Sequence, residues 1–369
     1  MDLEPTPEQA LLLETSARFV EDVLPLPRVR ALAEGGPADP GYASAAAELG
    51  WFAMFVDEDR GGGSVSGDPV ADAALIAQLR GARLQPEPFV ATNTVAAVVA
   101  AAGTAEQRDG VLPDLAAGKH TATLAVSGDA LWEHRPALRA DADGRDLVLH
   151  GAVVVDDPAA AWLLVAAERP DGPAQLLLPL DPALPRTRLD CLDLTRRLHA
   201  IRFDGVRVPA AAAVPDAVDR TRTVATVLAV AETVGAMDRL FAMTRQYALD
   251  RVAFGRPIGS FQALKHLLAD VSVVVESAKA VLAAAVRALS ADEPYAAEVA
   301  SIAVTYVGER AARFAQDCLQ VHGGIGFAWE HDLHLYLRRI TADAALHGTP
   351  DFHRRRVLAA HAAELREAA

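Results

Sequence analysis

The chain has 369 residues, 51% hydrophobic and 23% charged, which provides apolar material for a large core and a length suited to two or three domains. Intrinsic disorder and fibrous structure are thereby excluded. Its 49 acidic against 35 basic side chains give a net charge of −14, and no basic cluster stands against that field, which argues against nucleic-acid binding. Cys191 and Cys318 lie far apart without metal-ligand spacing, pointing to a reducing compartment and a cytoplasmic protein. The opening MDLEPTPEQ is acidic where a secretion signal would be basic. No apolar run approaches the roughly 20 residues that a bilayer span needs, so membrane insertion is not expected.

From Thr6 the pattern is helical: Pro7 suits a first turn, and Leu11, Leu12, Leu13, Ala17, Phe19 and Val20 recur at three- and four-residue spacing. Further helices are predicted over residues 42–49, 69–79, 90–102 and 106–117, with the loop Gly61-Gly62-Gly63 between the first two. Between residues 121 and 209 the period changes to short extended runs at 123–126, 146–149, 152–155, 162–166, 175–179 and 199–203. Strands back to back without intervening helices predict an antiparallel barrel or sandwich. After a loop to Asp216, four long amphipathic segments at 218–252, 262–289, 295–322 and 340–368 predict an antiparallel four-helix bundle. The predicted fold class is therefore α+β, in the order helices (1–118), β domain (119–212), four-helix bundle (213–369).

Two segments carry more than geometry. Arg251-Val252-Ala253-Phe254-Gly255-Arg256-Pro257-Ile258, followed by Phe261-Gln262, is a helix corner whose Gly and Pro need no further explanation, but whose Arg, Phe and Gln do. An arginine fork at a helix end and an amide near a helix start suit a phosphate. Gln320-Val321-His322-Gly323-Gly324-Ile325-Gly326-Phe327 puts glycines at a helix end, and follows a helix where a dinucleotide fingerprint follows a strand. His331 and His334 offer two imidazoles three residues apart, without the third ligand a metal site needs, and no metal is expected. Cys318 reads as core, and Arg354-Arg355-Arg356 as a solvated face with a lesser claim on CoA phosphates.

These two segments, in this order and ahead of Leu346-His347-Gly348-Thr349, resemble the acyl-CoA dehydrogenase family. The resemblance runs nearly end to end, through Glu48-Leu49-Gly50-Trp51, residues 57–63 and Arg202-Phe203-Asp204-Gly205-Val206-Arg207-Val208-Pro209. It implies FAD bound where two subunits meet, and a glutamate that takes the α-proton of an acyl-CoA thioester while the β-hydride passes to the flavin. Electron-transfer flavoprotein would receive the electrons. By the same resemblance Arg251, Ala253, Phe254, Phe261, Gln262, Gln320, Gly323 and Gly324 reach the neighbouring subunit's FAD. Thr349 and Asp351 match positions that touch the adenine side of the flavin.

The sequence departs from the family where the chemistry sits. The family's TEPxAGSD turn and W-I-T/S strand, which hold the flavin ring, read Leu124-Ala125-Val126-Ser127-Gly128-Asp129 and Val153-Val154-Val155-Asp156-Asp157 here. Carboxylates at Asp156 and Asp157 would oppose reduction of a ring placed beside them. The family's Glu-Gly-Thr is His347-Gly348-Thr349, and the alternative glutamate position on the first long C-terminal helix holds Ala225, with Glu232 the nearest acid. A neutral imidazole can accept a proton, so His347 could act as the base. Joint loss of the carboxylate and both ring elements is explained more simply by release from catalysis. The sequence thus resembles the non-catalytic subunit of actinobacterial α2β2 acyl-CoA dehydrogenases acting on steroid side-chain CoA thioesters. The alternatives are a self-sufficient homo-oligomeric flavoenzyme using His347 or Glu232, and a flavin-free scaffold.

Overall fold

The computed structural model describes residues 5–36, 41–86, 88–128, 131–133, 136–215 and 217–367; Asp129, Asp216 and Ala368 of the segments named above lie outside the described residues. Among the described residues six helices open the chain: α1 (Pro7–Val23), α2 (Leu26–Ala33), α3 (Tyr42–Glu48), α4 (Pro69–Ala82), α5 (Phe89–Ala102) and α6 (Ala105–Ala116). Thr6 starts α1 with a reciprocal cap, its Oγ1 accepting the Gln9 N–H at 3.3 Å while Gln9 Oε1 accepts the Thr6 N–H at 3.1 Å. Asp68 caps α4 through the Val70 and Ala71 N–H groups, ahead of Pro69. The sequence reading did not include α2, an eight-residue helix that follows Pro25 and has no side-chain cap.

Seven strands follow among the described residues: β1 (Ala122–Leu124), β2 (Arg139–Asp143), β3 (Asp146–Val155), β4 (Trp162–Ala167), β5 (Ala174–Pro179), β6 (Arg186–Arg188) and β7 (His199–Pro209). They form two sheets, β1-β4-β5 and β2-β3-β7-β6. Leu147, Leu149, Val153, Leu163, Val165, Leu176, Ile201 and Phe203 close the space between them. One pair departs from the antiparallel expectation: β1 and β4 run parallel. After β1 the chain crosses to the other sheet, makes the β2–β3 hairpin and returns, the long connection a parallel pair requires. The two runs expected at 146–149 and 152–155 are one continuous strand, β3, whose ladder with β7 skips Gly205 in the left-handed conformation (φ 67°). The edge strands β2 and β6 are largely polar and exposed, so no apolar alternation announces them.

The C-terminal part comprises α7 (Val218–Asp250), the two-residue strands β8 (Val252–Ala253) and β9 (Arg256–Pro257), α8 (Gln262–Ser290), α9 (Ala296–His322), α10 (Leu333–Asp343) and α11 (Pro350–Glu367). The fourth helix expected at 340–368 is thus two helices. The break falls where His347 (φ 56°) and Gly348 (φ 91°) take left-handed backbone and Pro350 restarts the chain as a helix. α7, roughly 50 Å long, is the common axis, packing on α4, α5, α8, α9 and α10. It meets α4 at paired glycines: a Cβ on Gly81 would lie 1.8 Å from the Glu232 carbonyl oxygen, and one on Gly235 would lie 2.0 Å from that of Gln78. This close approach places Arg80 of α4 beside Glu232 of α7.

Candidate functional site

Eight of the residues expected to meet a cofactor gather at one end of the bundle. α7 ends where the Arg251 N–H donates to the Tyr247 carbonyl (2.9 Å), and the Arg251 carbonyl accepts from Ile258 N–H (2.8 Å), so the chain turns tightly through Phe254 (φ 52°) and Gly255 (φ 77°) into α8. The end of α9 lies alongside, because the Tyr247 ring stacks on His322 with centroids 4.4 Å apart. There α9 stops at Gly323, whose φ of 61° and ψ of −139° are open essentially to glycine alone. Arg251, Phe254 and Gln262 from the corner, Gln320 of α9 and Gly324 just beyond it are all exposed, with Ala253, Phe261 and Gly323 half-buried behind them.

This end has the character of an unfilled interface. Phe254 is 95% exposed and Phe327 70%, with Leu249, Val252 and Ile325 also at the surface. Among the described residues no carboxylate lies within 4.0 Å of the Arg251 guanidinium. Arg256 lies over the Phe261 ring at 4.1 Å, and Gln262 Nε2 is 2.8 Å from His266 Nε2. Exposed arginine and amide donors on an apolar rim fit an anionic group brought by a partner.

Thr349 and Asp351 do not join this group. Pro350 packs on Gly308 of α9, about 18 Å along that helix from Gln320. Thr349 Oγ1 accepts the Phe352 N–H at 3.2 Å as the cap of α11, and Asp351 pairs with Arg354 (3.5 Å) and Arg355 (2.7 Å). The triple-arginine run is engaged throughout, with Arg354 also on Glu309 and Arg356 on Asp219.

The position that the resemblance gives to the catalytic glutamate is buried. His347 is 7% exposed, and its ring meets Trp132 edge to face at 5.3 Å. Trp132 is fixed by its indole N–H on the Ala125 carbonyl (2.8 Å), and the preceding Leu131 carbonyl accepts from Arg222 Nε (2.8 Å). Glu133 turns back on the turn expected to face a flavin ring: its Oε1 accepts the Ser127 hydroxyl at 2.6 Å and the Gly128 N–H at 2.8 Å. The cavity beside His347, between α7, α9 and α10, holds about 30 Å³, room for a single water. Ala225 faces the core beneath the three-stranded sheet.

Behind this plug lies a charge network that the sequence reading missed entirely. Arg196, 3% exposed, reaches Asp156 (3.3 Å), Asp193 (3.4 Å), Glu232 (3.4 Å) and Asp343 (3.1 Å). Arg80 adds a second cation on Glu232 (3.3 Å), and Arg339 a third on Asp193 (2.6 Å). Burial raises the Asp193 carboxyl, but Arg339 and Arg196 outweigh it and hold the group below the usual carboxylate range. At Asp343 burial wins over the same two arginines, and the pKa is raised. Asp156, expected to oppose flavin reduction, is thus neutralised inside the fold, and Asp157 accepts the Thr121 hydroxyl at 2.9 Å. Glu232, 1% exposed, is held between Arg80 and Arg196.

Among the described residues no group of three or more His, Cys, Asp and Glu side chains could hold a metal. His331 packs on His322 and His334 stacks on Trp329. Burial pushes the Cys318 thiol up to about 12, as suits a core residue. His353, fully buried, lies 2.9 Å by Nε2 from the His347 carbonyl and 3.2 Å by Nδ1 from Ser301 Oγ. Burial pushes its pKa from an ordinary 6.5 down to about 4. The folded state therefore prefers the neutral ring, and the stability it contributes is complete above pH 6.5 and lost as pH falls toward 4, about 3 kcal/mol in all. Urea unfolding across that window should show the loss in the natural chain and a smaller one in His353→Gln; equal losses would remove His353 as the cause.

Comparison with known proteins agrees with this architecture. The model described as "Acyl-CoA dehydrogenase, N-terminal domain" matches residues 6–119, and "Acyl-CoA dehydrogenase, C-terminal domain" matches 218–362. The acyl-CoA dehydrogenase IpdE2 of Mycolicibacterium smegmatis is 30% identical over 352 residues, covering 95% of this chain and 97% of the relative. The chain belongs to the acyl-CoA dehydrogenase family. Among solved structures it resembles the ChsE4-ChsE5 complex of Mycobacterium tuberculosis, with TM-score 0.88 and 26% identity over 98% of this chain and 99% of the other. A Tcur3481-Tcur3483 steroid ACAD variant matches with TM-score 0.87 and 27% identity over 96% and 99%. The family is one of FAD-binding oxidoreductases acting on CH–CH bonds, and among the described residues no helix is long and apolar enough to cross a membrane.

Proposed function

We propose that this chain is the cofactor-lending, non-catalytic subunit of an α2β2 acyl-CoA dehydrogenase. One observation carries the reading. The donors expected to hold a flavin ring are consumed inside this chain, Ser127 and Gly128 by Glu133, while Arg251 and Gln262 stand exposed on an apolar end. FAD, when bound, accepts the hydride from the acyl β-carbon. Arg251, Gln262 and Gln320, with the Gly323-Gly324 backbone, would hold the diphosphate side of a cofactor whose ring and catalytic glutamate belong to the sibling chain. Trp132 against His347, and the small cavity of about 30 Å³ on the other side of that residue, support a chain that takes no acyl group at this position.

The names of two structural relatives, a steroid ACAD variant and the ChsE4-ChsE5 complex, support a steroid acyl-CoA substrate and a heteromeric assembly; in this reading the acyl group is a steroid side chain, electron-transfer flavoprotein is the oxidant and the assembly is cytoplasmic. The helical, β and bundle parts would act as domains 1–118, 119–212 and 213–369, the last making most of the subunit contact. Purified alone, the chain should be colourless and inactive. Coexpressed with a sibling that keeps Glu-Gly-Thr, it should yield a yellow, active assembly with two FAD per four chains. A yellow, active homo-oligomer of this chain alone would overturn the reading, and a flavin-free complex would favour the scaffold.

A further inference from the structure

A cavity of about 390 Å³ opens between α4 and α8, bordered by Pro5 and Gln9 at the start of α1. It shares no residue with the bundle end or the His347 region, and Lys279 at its edge stands about 26 Å along α8 from Gln262. The sequence explains why it is open. Lys279, Leu282, Ala283, Val286 and Arg287 recur at three- and four-residue spacing as one stripe of α8, and α4 faces it with Ala71, Ala74 and Leu75. Three of these positions are alanines, whose methyl groups leave the space between the two helices unfilled. The volume is that of a site for a small molecule.

Its charged side chains are Asp68, Lys279 and Arg287, and the first two are compensated within the fold. Lys279 pairs with Asp238 (2.6 Å) and Glu276 (3.1 Å). Asp68 Oδ1 accepts the Val70 and Ala71 N–H groups (3.1 and 3.0 Å) and the Ser290 hydroxyl (2.8 Å) at the positive end of α4. The Arg287 guanidinium, exposed at the rim, meets no carboxylate and no hydrogen-bond acceptor among the described residues, in a chain with 49 acidic side chains against 35 basic. A free guanidinium fork beside an apolar floor is the complement of an amphipathic anion, and its planar donors match a carboxylate.

We infer that this cavity binds a small carboxylic acid with an apolar chain, its carboxylate on Arg287 and its chain along Ala71, Ala74, Leu282 and Ala283. The inference does not rest on the partner-subunit reading, since no residue of the cofactor end is involved and its test needs neither flavin nor activity. Decanoate is the probe, titrated by calorimetry into the chain in whatever assembly it is purified, with decan-1-ol as the uncharged counterpart. Decanoate should saturate at one molecule per copy of this chain and bind about tenfold more tightly than decan-1-ol, the worth of one charge-assisted contact at a partly exposed rim. Arg287→Gln, a change at an exposed helix position that keeps the fold, should weaken decanoate about tenfold and leave decan-1-ol unchanged. Ala71→Phe fills the cavity from α4 and should weaken both; if that variant fails to fold, Arg287→Gln still decides. An acyl site elsewhere in the assembly would take decanoate whatever stands at these positions, so saturable binding that neither variant alters overturns the site, as does the absence of saturable binding. Equal binding of the acid and the alcohol, or full-strength decanoate binding to Arg287→Gln, overturns the ligand class.

Discussion

Replacing Arg196 with methionine should cost the fold about 3–5 kcal/mol at neutral pH, more than any other single change at the site. The side chain is 3% exposed and lies within 3.4 Å of four carboxylates drawn from two loops of the β domain, α7 and α10. Without it Arg80 and Arg339 are left to balance four buried acids. The penalty is that of charges already desolvated and then stranded, which exceeds anything the pairs gained by forming. Arg196→Lys should recover only part of the loss, because one ammonium cannot match a planar fork that serves four partners.

The pH dependence gives this prediction its signature. In the natural chain the Asp193 carboxyl sits below its ordinary pKa, so the stability it contributes is present above that value and lost as pH falls through the depressed one. In the variant the stranded carboxylates are pushed upward, so protonation favours the folded state and stability returns as pH falls. Asp343, already raised, takes the proton first. Urea unfolding at pH 7 and pH 5 should therefore show the two proteins converging on acidification. A deficit under about 1 kcal/mol at pH 7 would mean that the network does not hold these layers together.

The same network marks the boundary of what the sequence could disclose. Local signals were legible: Pro7 after Thr6, the helix start at Pro69, the apolar strands of the β domain and the two glycine-bearing corners at the bundle end are all set by residues close together in the chain. The helix break at His347 was not, since alanine-rich periodicity runs on through a pair of left-handed residues. Erosion of the flavin-ring elements was visible as missing residue types. What replaced them was not, because Trp132 meets His347, Arg196 meets Glu232 and Arg339 meets Asp193 only after the chain has folded back over long separations. Arginines and acids scattered through a chain otherwise read as surface.

Arg251→Ala should do the reverse of Arg196→Met, leaving the fold intact while emptying the assembly of cofactor. Its side chain is exposed and meets no carboxylate among the described residues, so its loss should change unfolding stability by less than about 0.5 kcal/mol. A charge-assisted contact to a diphosphate contributes about 1.5–3 kcal/mol, so FAD retained by the coexpressed assembly should bind roughly 10- to 100-fold more weakly. Gln262→Ala removes a neutral donor and should weaken FAD by no more than about tenfold, and Arg251→Lys should restore charge without the fork. Flavin absorbance per chain, read beside a thermal melt, separates the two effects: cofactor falls while the transition stays in place. If the Arg251→Ala, Gln262→Ala double variant kept its full complement of FAD, the bundle end would not be where this chain meets the cofactor, and the exposed apolar rim at Phe254 and Phe327 would need a partner of another kind.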